Sequence, residues 1–254
     1  ADELMGLAYD NGINFFDTAP VYGFGRSEER LGEILSGVRH QVILATKCGL
    51  RWDNRGRVFH DLSSDALHSD IHASLARLKT DYIDLYQIHW PDRRTPLQET
   101  METLNSLKAQ GIIRHIGVCN FTAELLTEAR QYSDITSVQC LYNMLQQDAA
   151  KDLLPCCREH GLGVLCYSPL AQGILGGKFR DDFKPGKHDI RHLNPLFKNT
   201  KRFRDAVAFS QSLPEPPAAA ALGFLAGQAG VSSILVSMTR PEHVLENIKA
   251  IDTP

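Results

Sequence analysis

Short, almost continuous apolar runs recur along this 254-residue chain, and they are the feature that most constrains its fold. Each run has the length of a buried strand, and stretches with the apolar spacing of a helix separate most of them. Strands that are apolar on both faces and alternate with amphipathic helices are typical of a parallel sheet covered by helices. The seven runs are 13–17, 42–46, 83–89, 113–118, 135–139, 163–168 and 233–237.

The predicted helices lie between these runs and carry recognisable end signals. Thr122 is typical of an N-cap, Pro241 of a first helical position, and Gly111 and Gly161 of helix C-termini. We therefore expect an α/β protein whose length suits one (β/α)8 TIM barrel domain over residues 1–254. The predicted helices are 27–36, 63–78, 96–110, 122–130, 149–160 and 241–250.

Two segments depart from this alternation. The first twelve residues have the pattern of the second half of a helix, so we expect an eight-stranded barrel that lacks its N-terminal hairpin and first strand in this chain. Residues 171–221 are rich in glycine, proline and charge, and connections of that length are usually functional or disordered. We interpret 171–221 as a long excursion over the C-terminal face of the barrel, with a helix near 198–211.

Composition narrows the classes of function. A formal net charge of −3 supplies no basic surface for nucleic acid, and the apolar runs are far shorter than the ~20 residues that cross a bilayer. The six cysteines form no C-x-x-C pair and have no zinc-type spacing with histidine. We expect reduced thiols in a cytoplasmic protein that binds neither metal, nucleic acid nor membrane.

The apolar runs close on polar or aromatic side chains. In a parallel α/β barrel all carboxyl ends of the strands lie on one face, where active sites are built. We therefore expect these side chains to surround one cavity, together with Tyr22, which follows the first run by five residues. They are Asp17, Lys47, His89, Asn120, Gln139, Tyr167, Ser168 and Ser237.

Four of these residues form a chemical set. Tyr22 carries a phenol that can donate a proton, and a neighbouring Lys47 ammonium is expected to lower its pKa. Asp17 would keep a buried Lys47 protonated. His89 can hydrogen-bond a substrate oxygen or relay a proton. A tuned acid facing a carbonyl oxygen suits carbonyl reduction, in which a bound cofactor must supply the hydride.

Each of the four also has a plainer interpretation. Asp17 could cap a helix, Lys47 could be a solvated loop residue, His89 could be a core histidine, and Tyr22 could be a turn aromatic. Their expected convergence on one face favours the functional interpretation over these four separate ones.

A further group suits a nicotinamide dinucleotide. The amides of Asn120 and Gln139 match a carboxamide, and Tyr167 can stack on an aromatic ring. A helix N-terminus near Thr239–Glu242 is an anion site, where Arg240 or His243 could hold an adenosine 2′-phosphate. The groups expected near the pyrophosphate are Ser168, Leu170 and the backbone at Gly173. Ser237, which closes the last apolar run, is also predicted to bind the cofactor.

The chain resembles the aldo-keto reductase superfamily in seven blocks that follow in the family's order. GINFFDTAPVYGFGRSEERLG is similar to its first signature, ILATKCG to its lysine strand and SLARLKTDYIDLYQIHWPD to its second signature. The other blocks are GIIRHIGVCNF, SVQCLYNML, CYSPLAQGILGGKF and TRPEHVLENIKAI, and the long 171–221 excursion is most similar to the bacterial and plant branches related to potassium-channel β-subunits.

This resemblance implies an eight-stranded barrel that binds NADP(H), with NAD(H) as the alternative. It implies hydride transfer to an aldehyde or ketone, with Tyr22 as the acid beside Asp17, Lys47 and His89. It assigns Asn120 and Gln139 to the carboxamide and Tyr167 to ring stacking. Glu246 and Asn247 are assigned to the adenine end.

The predicted function is thus reduction of a small or sugar-derived carbonyl compound to an alcohol. Two alternatives stay open at this point. One is an NAD(P)-dependent aldose dehydrogenase, and the other is a non-catalytic regulatory subunit that senses nucleotide. The oligomeric state is left open.

Overall fold

The computed structural model describes residues 2–187 and 189–252, and these form two compact units. The first unit runs to Cys140 and takes in Pro155–Val164. The second unit comprises Leu141–Leu154 and the chain from Leu165 onwards.

Nine strands occur in the described residues. They are β1 (Phe15–Asp17), β2 (Ile43–Cys48), β3 (Leu50–Trp52), β4 (Val58–His60), β5 (Ile83–Ile88), β6 (Ile113–Cys119), β7 (Ile135–Leu141), β8 (Gly163–Tyr167) and β9 (Val231–Ile234).

Ten α-helices accompany them in the same part of the chain. They are α1 (Asp2–Asp10), α2 (Arg26–Leu35), α3 (Ser64–Leu78), α4 (Leu97–Ala109), α5 (Ala123–Ala129), α6 (Leu153–Glu159), α7 (Pro195–Lys198), α8 (Thr200–Gln211), α9 (Pro217–Ala226) and α10 (Pro241–Asp252). None of the helices described is long and apolar enough to cross a bilayer.

The core of the first unit is a parallel sheet in the order β1, β2, β5, β6, β7. All six residues of β5 are buried, because this central strand carries apolar side chains toward both layers that cover it. The register sets Lys47 beside Gln87, and Gln87 beside Gly117. Side chains near the carboxyl ends of these strands therefore come close together.

Helices α2 and α3 pack tightly in the first unit. Glu28 is fully buried and accepts hydrogen bonds from Arg77 Nε and Thr46 Oγ1, both at 2.6 Å. A Cβ atom on Gly32 would lie 2.5 Å from the Arg77 carbonyl oxygen, so only glycine permits this approach of the two helices. The ion pair and the glycine together fix α2, whose N-terminus follows the Tyr22 loop.

The second unit has a core that is built from residues of the long 171–221 excursion itself. Residues of the 171–176 turn and of α8 and α9 form this core. Four phenylalanines gather at its edge, and the Arg191 guanidinium lies 5.0 to 6.0 Å from three of their rings while Asp189 holds it by hydrogen bonds. The rings belong to Phe179, Phe183, Phe197 and Phe203.

The seven predicted runs all form strands, but two features of the second half and one hairpin differ from expectation. The strand predicted at 233–237 is β9, at Val231–Ile234, so Ser237 lies three residues beyond its end. The Pro-rich segment predicted as loop contains the start of α9, with Pro217 at the first helical position. The helix predicted near 198–211 is present as α8, preceded by the single turn α7.

The antiparallel hairpin β3–β4 was not predicted, because its sequence RWDNRGRVFH is charged and has no alternating apolar face.

Several of the predicted helix end signals are confirmed. The Thr122 hydroxyl accepts from the backbone N–H of Leu125 at 3.2 Å, and Gly111 has the positive φ of a helix C-terminus.

Candidate active site

A buried ion pair forms the floor of the site in the first unit. Lys47 is fully buried, and its Nζ lies 2.5 Å from Asp17 Oδ2 and 2.9 Å from the Thr18 carbonyl oxygen. Burial disfavours the ammonium, but the charge of Asp17 and the contact with Tyr22 outweigh it, so the pKa of Lys47 is raised. Lys47 therefore stays protonated at neutral pH.

The second oxygen of Asp17 is held by two amides. Asp17 Oδ1 accepts from Gln87 Nε2 at 2.9 Å and from Gln139 Nε2 at 3.0 Å. Gln139 Nε2 also lies 3.3 Å from Gln87 Oε1. The carboxylate is thus hydrogen-bonded on both oxygens.

Tyr22 stands above this pair on a tight loop after β1. Hydrogen bonds from Tyr22 N to Ala19 O at 3.0 Å and from Gly25 N to Pro20 O at 2.7 Å close the loop. Gly23, Phe24 and Gly25 all have positive φ, which reverses the chain into α2. Lys47 Nζ lies 5.2 Å from the centre of the Tyr22 ring.

The pKa of Tyr22 differs from the prediction. Desolvation raises it, and the charges of Asp17 and Cys119 raise it further, while Lys47 lowers it by its charge and its hydrogen bond. The net pKa of Tyr22 is raised, although 42% of its surface is exposed. Lys47 acts in the predicted direction, but the loss of water around the phenol outweighs it.

His89 completes the group. Its ring meets the Tyr22 ring edge to face, with ring centres 5.7 Å apart. Burial, Lys47 and His60 lower the pKa of His89 to about 3. The imidazole is therefore neutral at physiological pH, with one nitrogen as a donor and the other as an acceptor.

Asn120 lies at the same end of the sheet, directly after β6. Its Nδ2 donates to the His89 carbonyl oxygen at 3.0 Å, and its backbone has a φ of +60°, which asparagine tolerates better than most residues. The preceding Cys119 is 1% exposed and lies 3.7 Å from Gln87 Oε1. Burial raises the pKa of its thiol.

The structure thus brings six predicted site residues together within the first unit. The other nine lie in the second unit. Among these, Ser168 and Gly173 have positive φ angles, of +52° and +97°. The Ser168 carbonyl oxygen accepts a hydrogen bond from Asn143 Nδ2 at 3.1 Å. Asn247 is buried on α10, and Arg240 and Glu246 are exposed. The remaining members of this set are Tyr167, Leu170, Ser237 and His243.

Gln87 is the site residue that the sequence did not reveal. It appears as one amide inside the apolar run IDLYQIH, and only the strand register places it between Lys47 and Gly117. A polar residue in the middle of an otherwise apolar strand was the available signal, because such a residue needs buried partners.

The fold matches that of known oxidoreductases. The profile of the Aldo/keto reductase family matches residues 1–254, so the chain belongs to that family of oxidoreductases and is an enzyme of its kind. Members act with nicotinamide cofactors on small carbonyl compounds, and their fold is the (β/α)8 barrel that the strand–helix alternation predicts. The resemblance and the fold class predicted from the sequence are confirmed.

Relatives and solved structures resemble almost the whole chain. The NADH-specific methylglyoxal reductase of Escherichia coli is 37% identical over 96% of this chain and 80% of its own length. A probable voltage-gated potassium channel subunit beta of Arabidopsis thaliana is 30% identical over 99% of this chain and 82% of its own. The structure of the glycerol dehydrogenase AKR11B4 from Gluconobacter oxydans has a TM-score of 0.90, with 32% identity over 99% of this chain and 79% of that one.

Proposed function

We propose that this protein reduces a small aldehyde or ketone to an alcohol with NADP(H), NAD(H) being the alternative cofactor. One observation carries the proposal. Lys47 is buried and paired with Asp17, and its Nζ lies 5.2 Å from the centre of the Tyr22 ring. The centre of the neutral His89 ring lies 5.7 Å from the centre of the Tyr22 ring. An acid, the positive charge that tunes it and a neutral hydrogen-bonding group thus lie together at the carboxyl end of the sheet.

In this proposal Tyr22 protonates the carbonyl oxygen as negative charge develops there. The bound dinucleotide would supply the hydride to the carbonyl carbon. Lys47 holds its positive charge near the phenol and so stabilises the phenolate that remains. Asp17 keeps that ammonium charged and in place.

His89 would orient the substrate by donating an N–H hydrogen bond to the carbonyl oxygen. Because its pKa is about 3, it does not carry a charge or compete with Tyr22 as the acid at neutral pH. Tyr22, with a raised pKa, is fully protonated there and is ready to donate.

The chemistry of the amides fits a nicotinamide. Gln139 uses its Nε2 hydrogens on Asp17 and Gln87, which leaves its carbonyl oxygen as the acceptor for a carboxamide N–H. We assign Asn120 and Gln139 to that carboxamide and Tyr167 to ring stacking. The other assignments are Ser168, Leu170, Gly173 and Ser237 to the phosphates, and Arg240, His243, Glu246 and Asn247 to the adenosine end.

The Escherichia coli relative is named a methylglyoxal reductase, which supports short, reactive carbonyl substrates. The same name calls it NADH-specific, which weakens the preference for NADP(H). A solved relative from Klebsiella pneumoniae is in complex with NADP and acetate, which keeps NADP(H) in the proposal. We further propose a cytoplasmic protein with one barrel domain over residues 1–254.

Polyol oxidation is a second candidate, because a structure at TM-score 0.90 is a glycerol dehydrogenase. Oxidation would use the same groups in reverse, with the Tyr22 phenolate as the base. A nucleotide-sensing subunit is a third candidate, supported by the channel-subunit relatives.

The decisive experiment follows NADPH and NADH oxidation with methylglyoxal and 4-nitrobenzaldehyde, and NAD(P)⁺ reduction with glycerol. Tyr22→Phe should lower kcat for the carbonyl about 10²- to 10⁴-fold while the protein still binds dinucleotide, because only the acid is removed. Tyr9→Phe is the control, since its hydroxyl donates to Gln41 Oε1 at 2.8 Å in an exposed contact away from the site.

Full activity in Tyr22→Phe would contradict the proposed acid. Glycerol oxidation without carbonyl reduction would favour the dehydrogenase. Dinucleotide binding with no turnover in either direction would favour the regulatory subunit.

A further inference from the structure

Gln87 is a buried amide at the centre of the first unit. It is fully inaccessible, and the register places it between Lys47 of β2 and Gly117 of β6. A Cβ atom on Gly117 would lie 2.9 Å from Gln87 Cγ, so the glycine provides the room that this side chain occupies. Burying an amide is costly unless its hydrogen bonds are made.

The directions of these hydrogen bonds are fixed by chemistry. An ionised carboxylate only accepts, so the ends of Gln87 and Gln139 that face Asp17 Oδ1 must be the NH₂ groups. Gln87 Oε1 is then the group that accepts from Gln139 Nε2 at 3.3 Å and from the Cys119 thiol at 3.7 Å. Gln87 therefore joins Asp17, Gln139 and Cys119 in a single orientation.

We propose that Gln87 is a positioning residue for the reductase chemistry, which holds the Asp17 carboxylate against Lys47 and fixes which end of the Gln139 amide faces away from Asp17. The inference rests on the proposed function. Gln87 itself lies beneath the site and acts through these neighbours.

An electrostatic consequence follows. The charged and titratable groups that face Tyr22 are Lys47 from β2, Asp17 from β1, Cys119 from β6 and His89 after β5. Asp17 raises the pKa of Tyr22, and each hydrogen bond donated to Asp17 offsets part of its negative charge. Removing the Gln87 donor should strengthen the field of Asp17 at the phenol.

The test uses Gln87→Met, which keeps the length of the side chain and removes the amide. Its Tyr22 pKa should rise by about half a unit, and kcat for carbonyl reduction should fall about tenfold, because a donor to a charged group is lost. KM for the carbonyl should change less than about twofold, since Gln87 does not contact substrate. Gln87→Leu is measured beside it in case one variant does not fold.

The phenol is followed directly by ¹⁹F NMR of protein labelled with 3-fluorotyrosine, and Tyr22→Phe assigns the signal among the seven tyrosines. Ser137→Ala is the matched control, because Ser137 Oγ is buried in the same layer, beside Gly117, and has no hydrogen-bond partner among the described residues. It should leave both the Tyr22 titration and kcat unchanged.

The inference is supported if Gln87→Met raises the Tyr22 pKa and lowers kcat while Ser137→Ala changes neither value. The inference is overturned if the Tyr22 pKa of Gln87→Met equals that of the wild type, or if Gln87→Met and Ser137→Ala change the Tyr22 pKa and kcat equally. If the wild-type protein reduces no carbonyl, the proposed function fails, whereas the NMR titration still decides the role of Gln87.

Discussion

At the scale of single residues, the ion pair of Lys47 and Asp17 is the buried charged contact at the candidate site. A fully buried ammonium is tolerated because Asp17 lies 2.5 Å away and the Thr18 carbonyl adds a second bond. Loss of one partner of such a pair leaves an uncompensated charge in the interior. The same residues thus support both the stability and the proposed chemistry of the site.

We predict that Asp17→Asn lowers the free energy of unfolding by about 3–5 kcal/mol, because it strands the Lys47 ammonium. Urea unfolding followed by circular dichroism measures the loss. The double variant Asp17→Asn/Lys47→Met should recover part of it, since no buried charge then remains. Additive losses in the double variant would show that the two residues are not coupled.

For Tyr22, the sequence predicted the position of the side chain but not the direction of its pKa shift. The chain order and spacing of Asp17, Tyr22, Lys47 and His89 predicted their convergence, and the structure brings them together. The sign of the net pKa shift of Tyr22 depends on how much water the folded site removes from the phenol. A sequence does not express that quantity.

At the scale of elements, the buried contact between Glu28 of α2 and Arg77 of α3 orders the helix that follows the Tyr22 loop. The Glu28 side chain is inaccessible to solvent, and the Arg77 side chain is about four-fifths buried. Arg77 Nε lies 2.6 Å from Glu28 Oε2. A second pair bridges the two helices at the surface, where Lys79 and Glu33 are 54% and 65% exposed and 3.6 Å apart. The two pairs differ mainly in their access to water.

We predict that Arg77→Met destabilises the fold by about 3–5 kcal/mol, because Glu28 is left charged and buried. Lys79→Met should cost less than about 1 kcal/mol, since exposed ion pairs contribute little. Chemical denaturation of the two variants under one condition compares them. Equal losses would mean that burial of Glu28 does not determine the energy.

Elements also divide into those the sequence predicted and those it did not. The continuous apolar runs predicted β2, β5 and β6 to within a few residues, because both faces of such strands are buried. The hairpin β3–β4 was missed, since its charged residues give no apolar period, and α9 was missed because Pro216 and Pro217 suggested a loop. Gln87 was missed because its side-chain partners come from three separate strands, β1, β6 and β7.

At the scale of the whole molecule, the buried His89 makes stability depend on pH. Its pKa is about 3 in the folded protein, and an unfolded histidine titrates near 6.5. Between these values the unfolded chain binds the extra proton, so the free energy of unfolding must fall as pH falls through this window. Above about pH 6.5 both states are neutral and the effect vanishes.

We predict that His89→Gln reduces this acid dependence. The slope of unfolding free energy against pH between about 6 and 4 should be shallower by up to roughly 1.4 kcal/mol per pH unit than in the wild type. Urea titrations at several pH values give the two slopes. Parallel slopes would show that His89 is not the group that charges on unfolding.

The burial of Cys119 has a chemical consequence for an enzyme that processes electrophiles. Dicarbonyls and other reactive aldehydes form adducts with thiolates, and this sulfur is a neighbour of the Asn120 assigned to the cofactor. With 1% exposure and a raised pKa, it stays a thiol and out of their reach. The catalyst we propose would therefore resist self-inactivation by its own substrates at this position.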